Sequence, residues 1–218
     1  MSSRSFADPA GGPAVLTDRH GADVAAMEAR AIAVLDAVPE TAWDGAPPVP
    51  IEWIATEMFD LHIKDHGDLE GLTDMTLPEG KSLSGLLLPD HGMILVNADE
   101  VAKWPNRRRF TIAHELGHWV MHRENMDYLR ARSADPISPQ ITFDGEPLAV
   151  MQLPIAEAEA NAFAAALLLP ASLLRPVADG CECDLVTLVD AFESTYGAMQ
   201  RRLITLGYQA AELSESTS

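Results

Sequence analysis

Residues 110–122 read Phe-Thr-Ile-Ala-His-Glu-Leu-Gly-His-Trp-Val-Met-His, and the portion His114-Glu115-Leu116-Gly117-His118 constrains the fold more than any other stretch. On an α-helix, residues four apart stack on one face. His114 and His118 so placed present two imidazoles that can converge on one metal ion at about 2.0–2.1 Å each. Glu115 then lies beside the metal, free to act as general base on a water. A chain built around this device needs a helix whose histidine face is buried, and a second element that brings another ligand to it. Catalytic zinc sites take three protein ligands and keep one position open. The surroundings suit such a helix, because Ile112, Leu116, Trp119 and Val120 form an apolar face along an unbroken run. The bland alternative is a pair of histidines satisfied by neighbours on a core helix.

The rest of the chain supplies partners for that helix. An amphipathic helix is expected from Ala22 to about Ala37, on the spacing of Val24, Ala25, Ile32, Ala33 and Leu35. The Pro- and Gly-containing stretch 44–50 breaks the chain, and a second helix is expected from Ile51 to Leu61 with Trp53, Ile54 and Met58 buried. Residues 64–82 are polar and turn-rich. Two short apolar runs, Leu83–Leu88 and Met93–Asn97, flank Pro89-Asp-His-Gly92 and predict a β-hairpin. Pro105 suits a first helical turn and places the start of the motif helix, which should end near Arg123. Residues 124–154 form a long loop punctuated by proline, with a short strand expected at Gln140–Phe143. The alanine- and leucine-rich run Ile155–Leu169 is helical and stops at Pro170, and helices at 184–193 and 196–206 complete the chain. The fold class that follows is α+β, mostly helical, with a small antiparallel sheet of about three strands packed on the motif helix. Residues 1–20 are expected to be a flexible arm, 21–208 one domain, and 209–218 a disordered tail.

Composition narrows the partners. The net charge is −18, from 15 basic against 33 acidic residues. Binding to nucleic acid depends on Lys and Arg meeting phosphates, so direct nucleic-acid binding is not expected, whereas a basic protein partner would be attracted. The chain has no apolar run near the roughly 20 residues that span a bilayer, and its first residues lack a secretory pattern, so a cytoplasmic location without membrane association is expected. Cys181 and Cys183 stand two apart, poorly placed for a mutual disulfide, and further cysteines for a metal site are missing.

The third ligand must come from elsewhere, and the alanine-rich helix offers Glu157 and Glu159. These point about 200° apart around the helix, so only one can face the metal. Spacing does not choose between them, and a first-turn glutamate also has a plain role at the helix dipole. Alanines 158, 160 and 162 would let this helix approach the motif helix closely.

Phe110-Thr-Ile-Ala-His-Glu-Leu-Gly-His118 with His122, followed by Glu159-Ala-Asn-Ala-Phe-Ala164 and Leu167-Leu-Leu-Pro170, resembles the ImmA/IrrE family of metallopeptidases. Ile94-Leu-Val-Asn97 with Arg107-Arg-Arg-Phe110, and Ala198–Leu203 through Tyr208, are similar as well. The likeness spans roughly residues 22–208. It implies a zincin-like metallopeptidase fold with zinc held by His114, His118 and Glu159, Glu115 as catalytic base, and Glu157 in reserve because the family's glutamate directly precedes the Ala-Asn pair. It also implies a cytoplasmic endopeptidase whose partner is a helix-turn-helix repressor or antitoxin-like regulator, cut in a stress or mobile-element response. Some relatives carry a fused DNA-binding domain; the first 20 residues here are too few for one, so the repressor is expected as a separate protein. The stretch between His118 and Glu159 is longer than the family's usual one.

In this reading His122, Tyr128 and His91 are candidates for stabilising the oxyanion, with a structural role at the helix end competing for His122. Ile94 and Val96 are expected to pair with an extended substrate. Manganese or iron can occupy the same ligands as zinc. Arg107-Arg-Arg109 reads as a solvated helix edge balancing nearby acids. Two rivals remain: a metal-binding sensor that holds a repressor without hydrolysis, and a DNA-binding regulator in which residues 184–206 form a helix-turn-helix with Arg201 and Arg202 on its second helix.

Overall fold

The computed structural model describes residues 23–69, 72, 82–123, 154–180 and 184–208. The expected arm 1–20, the tail 209–218, the stretch 124–153 with its predicted strand, and Cys181 and Cys183 lie outside the described residues. Helix α1 spans Val24–Asp36, and the Asp23 carboxylate caps it by accepting the Ala26 N–H at 3.0 Å. It buries Met27, Ala31 and Val34. Helix α2, Ile51–Trp53, runs on into a π turn over Ile54–Met58.

Strand β1 follows at His62–His66, where only turn-rich chain was expected. Its side chains explain the miss. His62, Lys64 and Asp65 are exposed and Ile63 is half-buried, so β1 lacks the apolar alternation by which strands are recognised. Polar side chains suit its place at the edge of a sheet.

Strands β2 (Gly85–Leu88) and β3 (Met93–Asn97) form the expected antiparallel pair, joined by a 3-10 turn over Pro89–His91 and by Gly92 at φ 54°. The strand order is β1-β3-β2, and β1 runs parallel to β3, with His62 opposite Met93 and His66 opposite Asn97. The sheet therefore has three strands but is mixed, not antiparallel. Period-2 alternation splits its side chains. Leu87, Ile94 and Val96 enter the main core, while Leu86 and Leu95 pair on the other face beside Leu69 and Leu83.

Asn97 ends β3 and begins α3 (Ala98–Lys103), its side chain accepting the N–H groups of Asp99 and Glu100. Buried Glu100 in turn accepts from the Ser82 and Ser84 hydroxyls, both at 2.6 Å, and so ties the entry of β2 to α3. Helix α4 is Pro105–His122, with proline in its first turn as expected. Its partner is α5, Pro154–Leu168. The two approach closely at Gly117, where a Cβ would lie 3.1 Å from Phe163 Cδ1 and 3.3 Å from Ala160 Cα and O. Small residues on both helices set this distance. Helix α1 covers another side of α5, and β2 and β3 lie against α4.

Helices α6 (Ala171–Gly180), α7 (Leu185–Ala191) and α8 (Tyr196–Thr205) close the fold. The Asp184 side chain caps α7 through the Thr187 N–H at 2.8 Å, and this bond holds its carboxyl below the usual carboxylate range. Arg202 of α8 is buried; its Nε donates to the Leu169 carbonyl at 2.9 Å and its Nη2 to Glu28 Oε1 at 2.7 Å. A side chain so engaged cannot meet DNA phosphates, which takes Arg202, one of the two arginines behind the helix-turn-helix reading of 184–206, out of that role. Among the described residues no single helix is long and apolar enough to cross a membrane.

Candidate metal centre

The site grows from α4. Its turn from Thr111 to His118 is buried throughout, between the sheet on one side and α5 on the other. His114 and His118, four residues apart, turn their Nε2 atoms toward each other at 3.1 Å, with rings edge to face at 79°. Glu157 of α5 completes the group. Its Oε2 lies 3.2 Å from His114 Nε2 and its Oε1 3.3 Å from His118 Nε2. All three side chains are buried, and their donor atoms lie within 4.8 Å of one another.

Those distances test whether a metal fits. Four ligands at about 2.0–2.1 Å in a tetrahedron stand about 3.3 Å apart along each edge. The observed separations of 3.1, 3.2 and 3.3 Å match such an edge, and two imidazoles with one carboxylate are a familiar donor set for a catalytic metal. The group suggests a metal, with a fourth position left for a reacting ligand.

The choice of glutamate is therefore corrected. Glu159 points away from the two Nε2 atoms and instead meets His122, its Oε2 at 3.0 Å from His122 Nε2. The rotation of α5 decides this. Ala160 must face Gly117, and the residues that share its face are Glu157, one turn earlier, and Asn161 beside it. Asn161 was not anticipated. Its Oδ1 lies 3.2 Å from His114 Nδ1 and can accept that N–H, leaving Nε2 free for a metal.

Glu115 is buried next to the ligands, under the first residue of β2. A Cβ on Gly85 would collide with Thr111 Cγ2 and lie 3.4 Å from Glu115 Cγ and Oε1. Glycine at the start of β2 is what lets the strand cross α4 at the proposed base.

The other candidates fall elsewhere. His122 sits behind His118, on its Nδ1 side, at 3.2 Å between Nδ1 atoms, and so does not face the metal position. His91 is exposed on the turn between β2 and β3, at the far end of β2 from Gly85. Tyr128 lies outside the described residues. Ile94 and Val96 belong to the central strand, which is paired on both sides, so they have no free edge to offer a substrate. Among the described residues the strand beside Glu115 with only one paired neighbour is β2.

The arginine run balances nearby acids, as expected, but only Arg107 of the three is exposed. Arg108 bonds Glu52 at 2.9 Å and also Asp65, Arg109 donates to the Val49 carbonyl at 2.6 Å and faces Glu193 at 3.4 Å, and Arg107 stacks on Trp104. Burial pulls the Arg108 pKa down, but Glu52 and Asp65 outweigh it and leave it raised. Burial lowers that of Arg109 against the opposing pull of Glu193 and Glu52. Both stay charged at any physiological pH.

Comparison with known proteins bears directly on this centre. Residues 72–143, which include both histidines and Glu115, match the peptidase family described as the IrrE N-terminal-like domain. The chain carries an IrrE-like domain. The radiation response metalloprotease IrrE of Deinococcus deserti is 34% identical over 115 residues, 53% of this chain and 35% of that protein. The ImmA/IrrE assignment read from the motif residues stands on these two matches. The chain thus spans about a third of the length of that curated relative. The fold of the IrrE-like domain and its flanking helices is also that of a Mycobacterium tuberculosis transcriptional regulator, with a TM-score of 0.54 at 19% identity over 90% of this chain and 51% of that one.

Proposed function

We propose that this protein is a zinc-dependent endopeptidase that hydrolyses a peptide bond in a protein substrate, with His114, His118 and Glu157 as metal ligands and Glu115 as general base. The observation that carries the reading is the buried group of three donors at tetrahedral spacing, with a carboxylate one residue from the first ligand. The relative named a radiation response metalloprotease supports the same chemistry. Bound zinc would supply Lewis acidity, lowering the pKa of a water and polarising the scissile carbonyl. Glu115 takes a proton from the attacking water and delivers it to the leaving amine. Burial of Glu115 beneath Gly85 keeps bulk water from competing for its carboxylate. Asn161 holds His114 in the tautomer that presents Nε2. An extended substrate would add to β2, whose start lies over Glu115, and not to β3.

The substrate we favour is a helix-turn-helix repressor or antitoxin-like regulator, cleaved in a stress response. A net charge of −18 suits a basic, DNA-binding partner and does not suit DNA itself.

The test is metal content and cleavage together. Wild type should hold about one equivalent of zinc, lost in His114→Ala and in Glu157→Ala. Glu115→Gln should keep the zinc while cleavage falls at least ~10²-fold, the usual share of a general base. A Gln variant that still cut at the wild-type rate would sink the base assignment, and zinc retained in Glu157→Ala would sink the ligand assignment.

A further inference from the structure

Two polar side chains near the centre have no place in the scheme above, and they form a chain. His118 Nδ1 lies 3.2 Å from His122 Nδ1, and His122 Nε2 lies 3.0 Å from Glu159 Oε2. His118 is fully buried, while the side chains of His122 and Glu159 are 13% and 26% exposed. The row therefore leads from the metal position outward, along the C-terminal turn of α4 and across to α5.

The directions of these bonds follow from proton bookkeeping. With both Nε2 atoms of His114 and His118 given to a metal, neither carries a proton there. His118 must then be protonated at Nδ1, and His122 Nδ1, at 3.2 Å, is placed to accept it. An imidazole that accepts at Nδ1 carries its proton at Nε2, the atom that faces Glu159. The carboxylate accepts it. With both ligand Nε2 atoms given to the metal, this arrangement of protons gives each bond of the row one donor and one acceptor.

We infer that His122 and Glu159 form a positioning relay that locks His118 in its metal-binding tautomer and ring orientation, and so set the affinity of the centre for its metal. This rests on the metal reading proposed above. The relay is the counterpart, for His118, of the single contact Asn161 makes with His114. It differs in ending on a charge. A carboxylate at the far end makes both imidazoles better electron donors, an effect a neutral amide supplies less strongly. It also gives Glu159 a reason to be a glutamate although it is no ligand.

The experiment compares zinc affinity, by competition with a chromophoric chelator, in wild type, His114→Ala, His122→Phe, Glu159→Ala and Glu159→Gln. It is read beside the melting temperature of each metal-free protein and the imidazole nitrogen-15 shifts of zinc-loaded wild type. The expected result is zinc bound 10–100-fold more weakly by His122→Phe and Glu159→Ala, the usual cost of losing such a partner. Metal-free melting temperatures should stay within a degree or two. Glu159→Gln, whose carbonyl can still accept the His122 proton but carries no charge, should fall between Glu159→Ala and wild type. The nitrogen shifts should show His122 protonated at Nε2 and unprotonated at Nδ1. Unchanged affinity in both variants overturns the relay, as does a His122 protonated at Nδ1 in the zinc form. Weakened binding accompanied by an equal loss of metal-free stability overturns it too, because that is the mark of a structural contact. A wild type that takes up no zinc overturns the metal reading and the relay with it; zinc held by wild type and lost in His114→Ala, with the other variants unchanged, overturns the relay alone.

Discussion

At its N-terminal end α4 is held by three arginines that each reach a different element, whereas from His114 onward it is held by contact with α5 and by its own imidazoles. Arg107 lies over Trp104, Arg108 reaches α2 and β1 through Glu52 and Asp65, and Arg109 reaches the Val49 carbonyl and Glu193. Gly117 touches Ala160 and Phe163, and His114, His118 and His122 face Glu157, Asn161 and Glu159. The first half uses long, adjustable side chains that tolerate small shifts. The second half uses backbone-close packing that tolerates almost none. Chemistry sits where the tolerance is least, which is what a metal site needs if its ligands are to hold to within tenths of an ångström.

Gly117→Leu should break this division most severely. A side chain there must displace the Phe163 ring and the backbone of Ala160, neither of which has room to move. Overpacking of this kind costs about 3 kcal/mol. The displacement also carries Glu157 away from the imidazoles. Stability in denaturant and zinc affinity should fall together, and a variant that lost stability yet bound zinc as wild type would show that the α4–α5 contact does not set the ligand distances.

The same contact explains what could and could not be read from the chain. Helix α4 was legible because the motif, Pro105 and the apolar face all agree with one period. The glutamate was not. Glu157 and Glu159 stand in the same turn among alanines, and which one faces the histidines depends on the rotation of α5 fixed by Ala160 against Gly117. One clue was present: Glu157 and Asn161 are a polar pair four apart on a helix otherwise almost free of polar groups, so a shared polar neighbour was to be expected on that face. Helix α3 also carried its sign, Asn97 followed three residues later by Glu100, a helix start. Strand β1 carried none, since its pairing with β3 is made by backbone and its side chains are mostly polar. The arginines do meet acids, but the burial of Arg108 and Arg109 was not legible, for a related reason. A run of charge says nothing of its partners, and those of Arg108 and Arg109 (Glu52, Asp65, Glu193 and the Val49 carbonyl) lie far away in sequence.

Arg109→Ala tests the first half alone. It removes the charged donor of the fully buried Val49 carbonyl, which keeps only the Ile51 N–H at 2.8 Å, and it removes the ion pair to Glu193. The loss expected is about 1.5–3 kcal/mol, the range for a hydrogen bond made by a charged group. Zinc affinity should change less than about twofold, because the ligands lie on the other half of the helix. If zinc binding fell in proportion to stability, the two halves would be one cooperative unit and the contrast between them would fail.

Arg107→Ala should have the smallest effect and sharpens the contrast within the arginine run itself. Half of the Arg107 side chain is exposed, its nearest carboxylate oxygen on Glu100 is 3.8 Å away, and its guanidinium lies 4.6 Å from the centroid of a Trp104 ring that is itself 49% exposed. Exposed ion pairs and exposed cation–π contacts are each worth at most about 1 kcal/mol. Glu100 keeps its two serine donors in any case, so no buried charge is stranded. A change of less than about 1 kcal/mol, shrinking further in high salt, is expected for a contact that water can replace. A loss as large as that of Arg109→Ala would instead mean that α3 and α4 share a buried charge network through Glu100, and that the N-terminal half of the helix is held as rigidly as the half that carries the ligands.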